Sequence, residues 1–107
     1  MKEITSIQNS YIKELLKLQE KSRERKKKGL FIIEGKREIS LAISANYEFD
    51  TILYFEDLIS EQEILHFFNA NVNRILISKE VYQKLAYRGS TEGIIAVTKA
   101  KDFSLEN

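Results

Sequence analysis

Apolar positions along this chain alternate between two periods. Ile12, Leu15 and Leu16 recur at helical spacing, with Tyr11 and Leu18 at the edges of the stripe. Leu30 to Ile33 then forms an unbroken apolar run, the mark of a buried strand. Helical spacing returns in Ile39, Leu41, Ala42 and Ile43. The β-branched and aromatic run Thr51 to Phe55 predicts a second strand. Ile64, Leu65, Phe67 and Phe68 predict a helix, and Arg74 to Ile77 a short third strand. Val81, Tyr82 and Leu85 form a stripe within KEVYQKLAY, and GIIAVT from Gly93 to Thr98 predicts the last strand. Asn9 or Ser10, Ser60 and Ser78 stand where N-caps belong. Gly29 and Asn46 are candidate helix stops.

The resulting order is α-β-α-β-α-β-α-β. The strands are apolar on both faces, so helices must cover both sides of the sheet. The expected fold is a three-layer α/β/α sandwich with a mostly parallel four-stranded sheet. The runner-up is an α+β fold with some antiparallel pairing, the last strand being the first candidate for it. Met1 to Gln8 reads as a lead-in tethered by Ile4 and Ile7. Ser22 to Lys28 carries no apolar residue, and helix, loop and disorder all stay open there. Residues 1–98 are expected to form one domain, with 99–107 opening a linker.

Composition narrows the chemistry. There is no cysteine in the 107 residues, which excludes disulfides, thiolate zinc sites and cysteine nucleophiles. The only histidine, His66, lies within ILHFF and reads as a structural or edge-exposed side chain. Without a second histidine there is no pair to ligate zinc and no Ser–His–acid arrangement. Glu61 and Glu63 do not share a helix face. Gly29 and Gly35 bracket a strand, whereas a dinucleotide fingerprint clusters three glycines after one. No apolar run approaches the roughly 20 residues needed to span a bilayer. Neither a catalytic site nor a cofactor or metal site is expected in this chain.

The net charge of +1 hides a separation of sign. Lys17 to Lys28 carries seven Lys or Arg against two Glu, while Glu48 to Glu63 carries six acidic residues and no Lys or Arg. Such asymmetry orients a protein on a polyanion. Arg23, Arg25, Lys26, Lys27 and Lys28 are candidate phosphate contacts, and a solvated charge run is the plainer reading of the same residues. A second candidate surface is YRGSTE, where Arg88 can grip phosphate or stack on a base and Ser90 can donate to phosphate or ribose. It also reads as a simple turn before the last strand. Arg37, just after the first predicted strand, is a further candidate contact. In a parallel sheet Tyr87 to Glu92 would precede a strand while Glu34 to Lys36 follow one.

The stretches ITSIQNSYIKELLKL, RKKKGLFIIEGKREISLAI and ISKEVYQKLAYRGSTEGIIAV, in that order, resemble the amino-terminal substrate-binding domain of SpoU-type RNA 2′-O-ribose methyltransferases. The Asn9-headed helix, the Arg25–Gly29–Phe31–Glu34–Gly35 spacing and Gly93 opening an apolar strand carry the likeness. The resemblance implies an α/β/α domain similar to ribosomal proteins that bind kink-turn RNA. It also implies structured RNA, ribosomal RNA foremost, as partner, with no membrane and a cytoplasmic setting. In that family a larger knotted domain follows, binds S-adenosylmethionine, supplies the catalytic arginine and forms a homodimer. The present chain would be the inactive substrate-binding half. Relatives often carry proline or histidine and then glutamine before the final strand; Thr91 and Glu92 stand here, and Glu92 would repel phosphate. The rival readings are a stand-alone RNA-binding protein of ribosomal-protein-like fold and a protein-interaction module.

Overall fold

A computed structural model describes residues 2–86, 89 and 91–101 of the chain. The elements are β1 (Lys2–Ile4), α1 (Ser10–Glu20), α2 (Ser22–Lys28), β2 (Leu30–Glu34), α3 (Lys36–Ser44), β3 (Phe49–Tyr54), α4 (Glu61–Phe67), β4 (Arg74–Ile77), α5 (Lys79–Leu85) and β5 (Ile94–Lys99). The caps follow the sequence closely. The Asn9 carboxamide oxygen accepts from the Tyr11 and Ile12 amides at 2.8 and 3.3 Å. Ser60 and Ser78 cap α4 and α5 through the Glu63 and Val81 amides. Asn46 takes the left-handed conformation just beyond α3, with φ 65°.

The expected sheet requires correction. It has five strands rather than four, in the order β1-β4-β3-β5-β2. It is mixed rather than mostly parallel: β1–β4 and β3–β4 run parallel, while β5 is antiparallel to both β3 and β2. The added strand is β1, inside the presumed lead-in; only Ile4 of its three residues is buried. Helix length does not set the direction of β5, since α4, also seven residues, joins the parallel strands β3 and β4. The strand's starting point does. The Tyr82 hydroxyl accepts the Gly93 N–H at 2.9 Å, so β5 starts beside the helix that precedes it.

Period-two alternation then sorts the central strands onto two cores. Leu53, Ile95 and Val97 join Ile75 and Ile77 beneath α1 and α5, where Ile12, Leu15, Leu18, Val81 and Leu85 pack. Ile52, Tyr54, Ile94 and Ala96 point the other way, to Ile39 of α3 and Ile64 of α4. β5 runs through Lys99, and the Ala100 amide still bonds to the Gly29 carbonyl at 2.9 Å. Most of the expected linker, 102–107, lies outside the described residues.

Candidate nucleic-acid interface

Ser22 to Lys28, left open by the sequence, is a helix without one buried residue. A seven-residue helix is marginal alone, and its neighbours supply what its composition lacks. Lys21 breaks from α1 in extended conformation and serves as the N-cap position of α2. Gly29 ends α2 at φ 67°, its amide bonding to the Arg25 carbonyl at 2.9 Å. The Arg25 guanidinium folds back to donate through Nη1 to the Leu18 and Gln19 carbonyls, at 2.6 and 3.1 Å. It thereby caps α1, whose last carbonyls have no partner within the helix. Lys28 Nζ lies 3.6 Å from Glu14 Oε2 on α1.

Helical geometry thus divides the cationic run. Arg25 and Lys28 face α1. Arg23, Lys26 and Lys27, related as i, i+3 and i+4, fall within an arc of about 100° on the opposite side. All three are exposed, and none forms an ion pair among the described residues. Positive charge at the C-terminal turn also suits the helix dipole. The arrangement can neutralise neighbouring phosphates at little desolvation cost.

Glu92, the last residue of the second candidate surface, meets the end of β2, because β5 is antiparallel to it. The Gly35 amide bonds to the Ile94 carbonyl at 3.1 Å. The Lys36 amide, first in α3, donates to Glu92 Oε1 at 2.6 Å. Glu92 therefore engages the positive end of α3, for which Gly35 offers no side-chain cap. No local pattern announced this role; only the strand direction brings residue 92 to residue 36. Lys36 Nζ also pairs with Glu63 Oε2 at 3.2 Å. That hydrogen bond, with one from the Ser60 backbone, holds the Glu63 carboxyl below its ordinary range. Arg37 is exposed one residue further on, and Arg88 and Ser90 lie outside the described residues.

α2 and the start of α3 flank one edge strand. Arg25 of α2 and Glu38 in the first turn of α3 line a common cavity of about 340 Å³ against Phe31 to Glu34 of β2. His66 is exposed near the end of α4. The described residues contain no cluster of three or more His, Cys, Asp or Glu able to hold a metal ion. None of the described helices is long and apolar enough to cross a membrane.

This fold is shared with SpoU-type methyltransferases. An RNA 2′-O ribose methyltransferase of known structure superimposes with a TM-score of 0.80 and 32% identity, over 98% of this chain and 40% of its own. AviRb, a SpoU methyltransferase from Streptomyces viridochromogenes solved with AdoMet, gives 0.71 and 21%, over 92% of this chain and 36% of its own. An AdoMet-bound rRNA methyltransferase from Sinorhizobium meliloti gives 0.73 and 17%, over 94% and 37%. Residues 9–96 match the MRM3-like substrate binding domain, and the chain belongs to that family. Among curated proteins no match was found. The chain spans about two-fifths of the length of the solved relatives.

Proposed function

We propose that this domain holds structured RNA, ribosomal RNA foremost, while a separate catalytic domain methylates a ribose 2′-hydroxyl. The outward face of Arg23, Lys26 and Lys27 carries the reading, because it is an unpaired cationic surface among the described residues beside the edge strand β2. Family membership and the 32% identity to an RNA 2′-O ribose methyltransferase support it. The methyl donor would be S-adenosylmethionine, as the AdoMet-bound relatives suggest, held by the catalytic domain. The present domain contributes by positioning: it converts a diffusing RNA into a held one whose target ribose has few places to go. Arg25 and Lys28 support the phosphate-binding face rather than form its centre, Arg37 extends it along the edge, and Arg88 and Ser90 are further contacts in this reading. A cytoplasmic setting and a parent homodimer complete the proposal.

Filter binding to a structured ribosomal RNA fragment at two or more salt concentrations tests this. Replacing Arg23, Lys26 and Lys27 with glutamine should weaken binding and lower the salt slope by about 2–3. An unchanged affinity and slope would remove α2 from the interface.

A further inference from the structure

A groove of about 590 Å³ opens where α3 and α4 end, on the sheet face opposite α1. Tyr47, Phe49, Phe67 and Phe68 give it an aromatic lining, with Ile43 and Val72 beside them. All six are only partly buried. The Phe49 and Phe68 rings meet edge to face, with centroids 5.0 Å apart and planes at 78°.

The chain itself is led to this groove. Thr98 of β5 pairs with Phe49, and the Lys99 amide donates to the Glu48 carbonyl at 2.9 Å. Lys99 Nζ stands 3.9 Å from Glu48 Oε2. Lys101 then donates to the Ala45 carbonyl, and its ammonium lies 4.4 Å from the centroid of the Tyr47 ring. The last described residue is thus anchored on the wall of the groove. Residues 102–107, DFSLEN, lie outside the described residues. Phe103 is two residues beyond the anchor and Leu105 four, within about 7 and about 14 Å of chain. In an extended segment Phe103 and Leu105 fall on one side, and Asp102, Ser104 and Glu106 on the other.

The lining favours the same occupant. It carries one carboxylate, Glu48, and no cation, which disfavours a phosphate. A further aromatic ring extends the edge-to-face arrangement of Phe49 and Phe68. Asn46 and Asn71, on the exposed margin, carry both donors and acceptors, as the backbone of an extended peptide requires. A tethered segment also acts at an effective concentration on the order of millimolar, which a free ligand has to exceed. We propose that Phe103 and Leu105 dock in this groove and fasten the segment after β5 to the α3–α4 side of the domain. α2 packs on α1, on the other side of the sheet, so the docked segment leaves the proposed RNA face open. Docking does not require RNA. In a parent enzyme it sets the point from which a catalytic domain starts.

The test uses the ¹⁵N-labelled 107-residue chain. The sequence has no cysteine, so Glu106→Cys gives a single thiol for a nitroxide label. Docking should broaden the Phe68 and Val72 amides, and Phe103→Ser with Leu105→Ser should relieve that broadening. The Ser104 amide should exchange about tenfold more slowly in the chain than in the free peptide KAKDFSLEN, and the double variant should lose that protection. Asp102→Asn, on the outward side, should change neither. Equal broadening in the double variant, or free-peptide exchange at Ser104, would overturn the proposal. So would broadening that passes from a labelled chain to a separate ¹⁵N chain, which would mark a second copy as the occupant. Amides of α1 and β4 should stay at wild-type positions in every variant. A double variant that moved them would place residues 103 and 105 against another part of the fold and would also reject the groove.

Discussion

α2 and β5 use their residues in opposite ways. Five of the seven residues in α2 are Lys or Arg, and none of the seven is buried. Five of the six residues in β5 are buried, and the strand pairs on both sides. β5 joins the two cores, sending Ile95 and Val97 to one and Ile94 and Ala96 to the other. The helix adds surface chemistry to a domain whose fold is decided elsewhere. Changes around β5 should therefore act on stability, and changes on the outer face of α2 on RNA binding alone.

The largest effect is expected at the head of β5. Gly93 has φ 81°, and an added Cβ would meet Leu58 Cβ at 2.6 Å and both Ile59 Cγ2 and the Phe55 carbonyl oxygen at 3.2 Å. Strain in the left-handed region and overpacking act together, so Gly93→Ala should cost about 3–5 kcal/mol. Urea denaturation measures it. A loss below about 1 kcal/mol would mean that the turn after β3 yields freely, against the tight packing assigned to it.

Arg25 should separate from its neighbours in sequence. Arg25→Ala removes two hydrogen bonds from a charged donor to the end of α1 and should cost about 1–2 kcal/mol, with loss of helical signal from α2. Arg23→Ala should do neither. Similar behaviour of the two variants in denaturation and circular dichroism would dissolve the division between clamping and outward cations. Replacing Arg23, Lys26 and Lys27 together should leave stability within about 0.5 kcal/mol, even as it lowers the salt slope.

Much of this was legible in the sequence, and what was missed shares a cause. Asn9, Ser60 and Ser78 marked three helix starts because a capping side chain acts on amides two or three residues away. Strand β4 was read at its full length from RILI. Local signals of that kind do not encode strand direction. Alternating helices and strands suggested parallel crossovers, while the Tyr82–Gly93 bond starts β5 beside α5 and the strand runs antiparallel to both its neighbours. β1 was hidden because an edge strand with one buried residue has no periodicity to detect. The cationic run could be located but not divided: only the position of α1 decides that Arg25 turns inward. Glu92 seemed hostile to phosphate, and its bond to the Lys36 amide depends on the antiparallel pairing that local pattern missed.

The smallest expected effect concerns a cation already committed, unlike the outer face of α2. Lys36 Nζ pairs with Glu63, and Ser60 and Glu63 form a capping box at the start of α4. About half of the Glu63 side chain is open to solvent, so its effect on stability should be slight and screened by salt. Its folded pKa lies below the ordinary 4.5, with the Lys36 hydrogen bond as the largest cause and the Ser60 backbone bond next. The sign follows: the contribution is present above 4.5 and is lost as pH falls through the lower folded value. Lys36→Gln should move the Glu63 titration, followed by side-chain carboxyl NMR, up toward 4.5 without reaching it, since the Ser60 bond remains. An unmoved titration would show that Lys36 is free in solution. The cationic surface would then run from α2 to the head of α3, and Lys36→Gln should lower the RNA salt slope as each change on α2 does.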